Sequence, residues 1–198
     1  MAIVAGRPTL FLIAGPNGAG KSTFYETVLA PRTLAPFVNA DIIQRDELGD
    51  PSPEASYRAA EIAGERRRDH MATGQSFVME TVFSHPSKLE LLQDARDAGY
   101  RIIVFHLALA SPDLAVARVT ARIDEGGHPV PEEKIRQRFD RNAPLIRRAA
   151  LLADRAMIFN ASALNERPVV LLELSQGQVA RRAAELPEWF ETLYGDLA

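Results

Sequence analysis

Cysteine is absent from the 198 residues, so the chain has no disulfide, no thiolate metal site and no cysteine nucleophile. Neither sign of charge dominates, and a formal net charge of −3 argues against a broad nucleic-acid surface. No apolar run approaches the ~20 residues that a membrane span needs. The opening Met1-Ala2-Ile3-Val4-Ala5-Gly6-Arg7 lacks the charged-then-apolar pattern of a secretory signal, so a cytoplasmic protein without a membrane partner is expected. Internal repeats and low-complexity segments are missing too. What is left is an ordinary globular composition, 46% hydrophobic and 25% charged, and a length that suits one domain with a proper core.

Strand-like and helix-like patterns alternate along the chain, which predicts an α/β fold with a mostly parallel sheet flanked by helices. The expected strands are Leu10–Ala14, Phe37–Asn39, Phe77–Met79, Arg101–Leu109, Met157–Asn160 and Val169–Leu174, several of them the continuous apolar runs of buried parallel strands. Ser52-Pro53-Glu54 and Ser111-Pro112-Asp113 each place a capping Ser before a first-turn Pro and an acid, so helices start there. Gly74 and Gly99 are expected helix stops. Gly126-Gly127-His128-Pro129-Val130-Pro131 breaks the pattern between two Arg-rich helices, and residues 112–142 are expected to form a mobile lid on a single domain spanning 1–198.

Directly after the first strand, Gly15-Pro16-Asn17-Gly18-Ala19-Gly20-Lys21-Ser22-Thr23 matches the phosphate-binding loop G-x-x-x-x-G-K-[ST] at every defined position. The glycines let backbone N–H groups turn inward around phosphates, Lys21 supplies a cation to the β and γ phosphates, and the Ser22 hydroxyl suits Mg²⁺. A P-loop NTPase fold that binds a nucleoside triphosphate is therefore expected. Two other patterns do not hold. Leu174-Ser175-Gln176-Gly177-Gln178 resembles the ABC-type ATPase signature but lies at the end of the last expected strand, where it reads as a strand leaving into a polar turn before a terminal helix. Asp46-Glu47-Leu48-Gly49 fits the D-x-x-G of GTPases but lacks both a preceding apolar strand and any N-K-x-D.

Phosphoryl transfer needs in-line positioning, cations on the transferring group and a carboxylate within reach of the attacking hydroxyl. Asp41 follows the strand Phe37-Val38-Asn39 and is placed to accept the hydroxyl proton; capping the segment Ile42-Ile43-Gln44-Arg45 is its other reading. Glu80 and Thr81 emerge together after Phe77-Val78-Met79, an acceptor and a donor for a polyhydroxylated substrate; capping a helix or pairing with an Arg is the other reading of Glu80. Cations are offered by Arg118 and Arg122, which share one helix face, and by Arg136, Arg138 and Arg141 on the next helix. Arg66-Arg67-Arg68 reads as a solvated face, His106 as structural, and His128 as a second possible phosphate contact.

In order from about residue 9 to residue 142, the phosphate loop with Phe24, Val38-Asn39-Ala40-Asp41, Phe77 through Ser84, Arg118-Val119 with Arg122, Gly126-Gly127-His128, and Ile135 with Arg138 resemble the zeta-toxin family of P-loop kinases. The resemblance implies a kinase core with a helical lid, ATP and Mg²⁺ as cofactors, and transfer of the γ-phosphate to the 3′-hydroxyl of the amino sugar of UDP-N-acetylglucosamine. It implies Lys21 and Ser22 as phosphate and Mg²⁺ residues, Asp41 as base, Glu80 and Thr81 as sugar-binding pair, Arg118 as a lid arginine, and an antitoxin as partner. The chain departs from the pattern in two places. The lid reads Gly127-His128-Pro129-Val130-Pro131 where the toxins carry an Arg before a T-P turn, which leaves Arg122 or Arg138 as the second cation, and Glu-Gly-Thr is shortened to Glu80-Thr81. A kinase of another small acceptor or of a polynucleotide end, and an ATP-binding switch without transfer, are the alternatives.

Overall fold

The computed structural model describes residues 6–123 and 130–197. In chain order the elements are β1 (Thr9–Ala14), α1 (Lys21–Phe24), β2 (Phe37–Val38), α2 (Ala40–Ile42), α3 (Pro53–Thr73), β3 (Phe77–Thr81), α4 (Ser87–Asp97), β4 (Arg101–Ala108), α5 (Pro112–Ile123), α6 (Glu132–Leu152), β5 (Arg155–Asn160), β6 (Val169–Ser175), β7 (Gln178–Arg182) and α7 (Glu188–Tyr194). They form one seven-stranded sheet in the order β2-β3-β1-β4-β5-β6-β7. The first five strands of that order are parallel, and β6 and β7 are antiparallel additions.

All six expected strands are present, because their apolar runs are buried by helices on both sheet faces. One face packs Leu10, Leu12, Phe77, Met79 and Val104 against α3, α4, α6 and α7. The other packs Ile13, Phe105, Leu107 and Phe159 against Phe24 and against Ala115 and Val119 of α5. The helix starts behave as their capping sequences require: Ser52 Oγ accepts from Ala55 N at 3.2 Å, and Ser111 Oγ from Leu114 N at 3.2 Å. Gly74 and Gly99 both take the left-handed conformation just beyond α3 and α4.

β7 corrects the expected chain end. Gln176 and Gly177 both have positive φ, 51° and 74°, and close a two-residue hairpin that pairs Ser175 with Gln178. The LSQGQ-like stretch is thus a hairpin turn, and Arg181 and Arg182 lie in an edge strand exposed at every position, whose sequence carries no alternation to mark it. The hinge Gly126-Gly127-His128 lies outside the described residues.

The parallel strands bring the ends of β1, β2, β3, β4 and β5 to one edge of the sheet. Register aligns Ile13 with Glu80 and Ala14 with both Thr81 and His106. His106, fully buried, shares a 2.8 Å hydrogen bond with the Tyr194 hydroxyl and so ties β4 to the last helix. Burial holds the His106 imidazole down to about 3. The unfolded chain binds a proton at this histidine below about pH 6.5 while the folded chain does not, so stability is complete above that pH and is lost as pH falls toward the folded value. We expect melting temperature to fall between about pH 7 and about pH 5, and His106→Gln to flatten the decline by up to about 1.4 kcal/mol per pH unit. Parallel melting curves for the two proteins in that range, showing equal slopes, would refute this.

Candidate active site

The phosphate loop spans the gap between β1 and α1. Its close packing explains the glycines: a Cβ on Gly15 would lie 2.2 Å from the Leu107 carbonyl oxygen of β4, and Gly18, at φ 77°, lies against Ala115 and Arg118 of α5. Lys21, 7% exposed, donates to the Pro16 carbonyl at 3.0 Å and stands 3.8 Å from Glu80 Oε1. Burial pulls its pKa below the ordinary lysine value, against the opposing charges of Glu80 and Asp41; nearby Arg122 lowers it further.

Glu80 lies closer to the phosphate loop than its expected sugar-facing role implies. Its Oε2 accepts from Ser22 Oγ at 2.9 Å and from Asn39 Nδ2 at 3.0 Å. A hydroxyl and a carboxylate side by side are hard oxygen donors of the kind Mg²⁺ takes alongside substrate phosphates, so this pair fits the ion that the phosphate loop implies. Thr81 Oγ1 accepts from Phe83 N at 3.0 Å and stabilises a buried Phe83 at φ 57°, a left-handed bend uncommon for a bulky residue.

Asn39, which the sequence reading passed over, is 6% exposed and holds the neighbourhood together. Its Oδ1 accepts from Asp41 N at 2.8 Å and Ile42 N at 3.4 Å, so Asn39 is the cap of α2 and Asp41 is not. An Asn just after a strand, two residues before the acid, was the signal available. The Asp41 carboxylate is exposed, and its charge acts on both Lys21 and Arg138, favouring their protonated forms against the effect of burial. Burial still brings Arg138 below its usual value, with Arg141 acting in the same direction.

The expected lid arginines separate. Arg118 sends its guanidinium into a cradle of carbonyls: Ala161 at 2.7 Å, Ser162 and Ala163 at 2.9 Å, and Gly18 of the phosphate loop at 3.3 Å. It braces that loop against the turn after β5 through both terminal nitrogens, while its buried Nε has no hydrogen-bond partner. Arg136 is held by Asp113 at 2.7 Å and Glu132 at 2.8 Å, clamping α6 to α5. Arg122 and Arg138 are the cations left near Lys21 and Asp41. A separate groove lined by Thr9, Phe11, Leu34 and Ser76 opens at the opposite, amino-terminal edge of the sheet.

Two outcomes follow. Asn39→Ala removes a cap and lowers stability by about 1 kcal/mol, whereas Asp41→Ala leaves the melting transition nearly unchanged; the reverse ranking in thermal melts would restore the capping role to Asp41. Arg118→Ala and Arg118→Lys both weaken nucleotide binding and lower stability by about 2 kcal/mol, since an ammonium cannot fork across four carbonyls. If nucleotide titrations and melts stay parental while kcat alone falls, Arg118 acts on the transferring phosphate.

A family model described as Zeta toxin matches residues 3–166. An uncharacterised protein of Haemophilus influenzae is 25% identical over 130 residues, 63% of this chain and 88% of that protein. Among solved structures, a candidate kinase from Chloroflexus aurantiacus is 25% identical with a TM-score of 0.54, covering 68% of this chain and 78% of its own. The structure of the PezAT chromosomal toxin–antitoxin system of Streptococcus pneumoniae superposes over 97% of this chain and 85% of that chain, with a TM-score of 0.63 at 15% identity, a likeness of fold.

Proposed function

The chain belongs to the zeta-toxin family and has the fold of a P-loop kinase, and from that premise we propose that it transfers the γ-phosphate of ATP to a hydroxyl of a nucleotide sugar of the UDP-N-acetylglucosamine type. The observation that carries the reading is the juxtaposition of a buried Lys21, the Ser22–Glu80 oxygen pair and an exposed, uncapped Asp41 at one sheet edge. Ligands of open α/β sheets bind at that carboxyl edge.

ATP phosphates take the place of the Pro16 carbonyl as partners of the Lys21 ammonium. The Ser22 hydroxyl and the Glu80 carboxylate would hold Mg²⁺, which when bound would supply positive charge against the phosphates. Asp41 accepts the proton of the attacking hydroxyl as its oxygen bonds to the γ-phosphorus; the bond from that phosphorus to the β–γ bridging oxygen breaks, and ADP leaves with the electron pair. Arg122 and Arg138 stabilise the charge spread over the transferring group, so α5 and α6 act as the lid side of a single domain. Thr81 offers a hydroxyl to the acceptor. A protein that covers this edge, as an antitoxin would, competes with ATP.

Among the described residues no helix is long and apolar enough to cross a membrane. An acceptor panel with labelled ATP, read by mass spectrometry, tests the reading. Phosphate is expected on UDP-N-acetylglucosamine, with transfer falling by about 10²-fold or more in Lys21→Ala and Asp41→Asn, the latter with little change in ATP affinity. Unchanged turnover in Lys21→Ala refutes the kinase assignment, and labelling of a different acceptor alone refutes the sugar-nucleotide one.

A further inference from the structure

The triple arginine of α3 is not one solvated face. Arg66 is spent on Glu47, with both of its terminal nitrogens donating to that carboxylate. Arg67 and Arg68 turn elsewhere. A Cβ built on Gly64 would lie 3.7 Å from Arg67 Nη2 and 3.5 Å from Arg68 Nη1, so both guanidinium groups reach back one turn to the same glycine. Arg67 is half-buried, and its Nε is shut off from solvent without a hydrogen-bond partner. Lys88, half-buried in the first turn of α4, is held below its ordinary value by burial and by the charge of Arg67, as Arg67 is by burial and the charge of Arg68. Among the described residues no carboxylate pairs with Arg67, Arg68 or Lys88, and burial and like charge alone hold Arg67 and Lys88 below their ordinary values.

Two guanidinium groups converging on Gly64 without a carboxylate partner, with Lys88 on the neighbouring α4, favour an anionic ligand, and their place in the fold indicates its source. α3 starts beside the carboxyl end of β2 and runs back toward the amino edge. Long side chains on a helix lean toward its N-terminus, so Arg67 and Arg68 lean toward the carboxyl edge. α4 starts at that same edge, just beyond Glu80, Thr81 and the strained Phe83. We propose that Arg67, Arg68 and Lys88 form a binding site for a phosphate group carried by the acceptor, on the β3 side of the catalytic edge. The forks of Arg67 and Arg68 suit two phosphate oxygens, and Lys88 adds a point charge. Assignment to the acceptor rests on the kinase reading above; the anion site does not.

The test starts with the full chain saturated with Mg²⁺ and a non-hydrolysable ATP analogue, so that the phosphate loop is filled. Inorganic pyrophosphate is then titrated calorimetrically. One further site is expected, weakened about tenfold or more both in Arg67→Gln/Arg68→Gln and, independently on another helix, in Lys88→Gln, with analogue affinity parental in each. Absence of that site, or equal binding by folded variants, overturns the proposal. In the kinetic arm, KM for UDP-N-acetylglucosamine rises about tenfold in the variants while KM for N-acetylglucosamine stays put. Pyrophosphate binding that weakens without any change in acceptor KM overturns the acceptor assignment and identifies a site for free anions. Pyrophosphate binding with no transfer to any acceptor, in any variant or the parental chain, refutes the kinase reading and leaves the anion site standing.

Discussion

Glu80 joins separate pieces of the chain through one carboxylate: Ser22 of the phosphate loop, Asn39 at the end of β2 and, at 3.8 Å, the ammonium of Lys21. Removing a lysine from water is costly unless opposite charge stands close by. The sheet supplies that charge by register, since Glu80 lies opposite Ile13 one residue before the end of β1. The same contact fixes the loop before nucleotide arrives, and Asn39 passes the constraint on to Asp41 by capping α2. The carboxyl edge is thus held by a polar cluster anchored in the buried part of the sheet, the kind of preorganisation that phosphoryl transfer uses.

Much of this was legible in sequence for physical reasons. Parallel strands buried on both faces leave unbroken apolar runs, and the phosphate loop cannot close without its glycines, so β1 through β6 and residues 15–23 stood out. Helix ends at Ser52, Gly74, Gly99 and Ser111 were readable because caps are local. β7 was not, because an exposed edge strand has no buried face to imprint on its sequence. Asn39 was missed because a bond to a residue 41 positions away leaves no spacing signature.

The arginines show the same limit from the other side. Arg118 and Arg122 share a helix face by sequence, yet Arg118 is drawn into the carbonyls of residues 161–163 while Arg122 stays exposed near Lys21. Arg66, Arg67 and Arg68 are consecutive, yet one pairs with Glu47 and the others converge on Gly64. Successive helical residues diverge by about 100°, so a charge run says little about shared purpose until the neighbouring elements are known.

Charge is therefore sorted along the carboxyl edge in a way that a net value of −3 conceals. Arg122 acts on Lys21 and Arg138 on Asp41, Arg67 and Arg68 belong to α3 and Lys88 to α4, and the carboxylates of Asp41 and Glu80 stand at the start of α2 and near the end of β3. An acceptor bearing phosphate would be repelled by two carboxylates with nothing to offset them. On the proposed reading, cations on α3 and α4 would give such an acceptor's anionic end a counter-charge, leaving its hydroxyl to approach Asp41 as a neutral group, so Coulomb forces would set the orientation of the acceptor as well as its affinity.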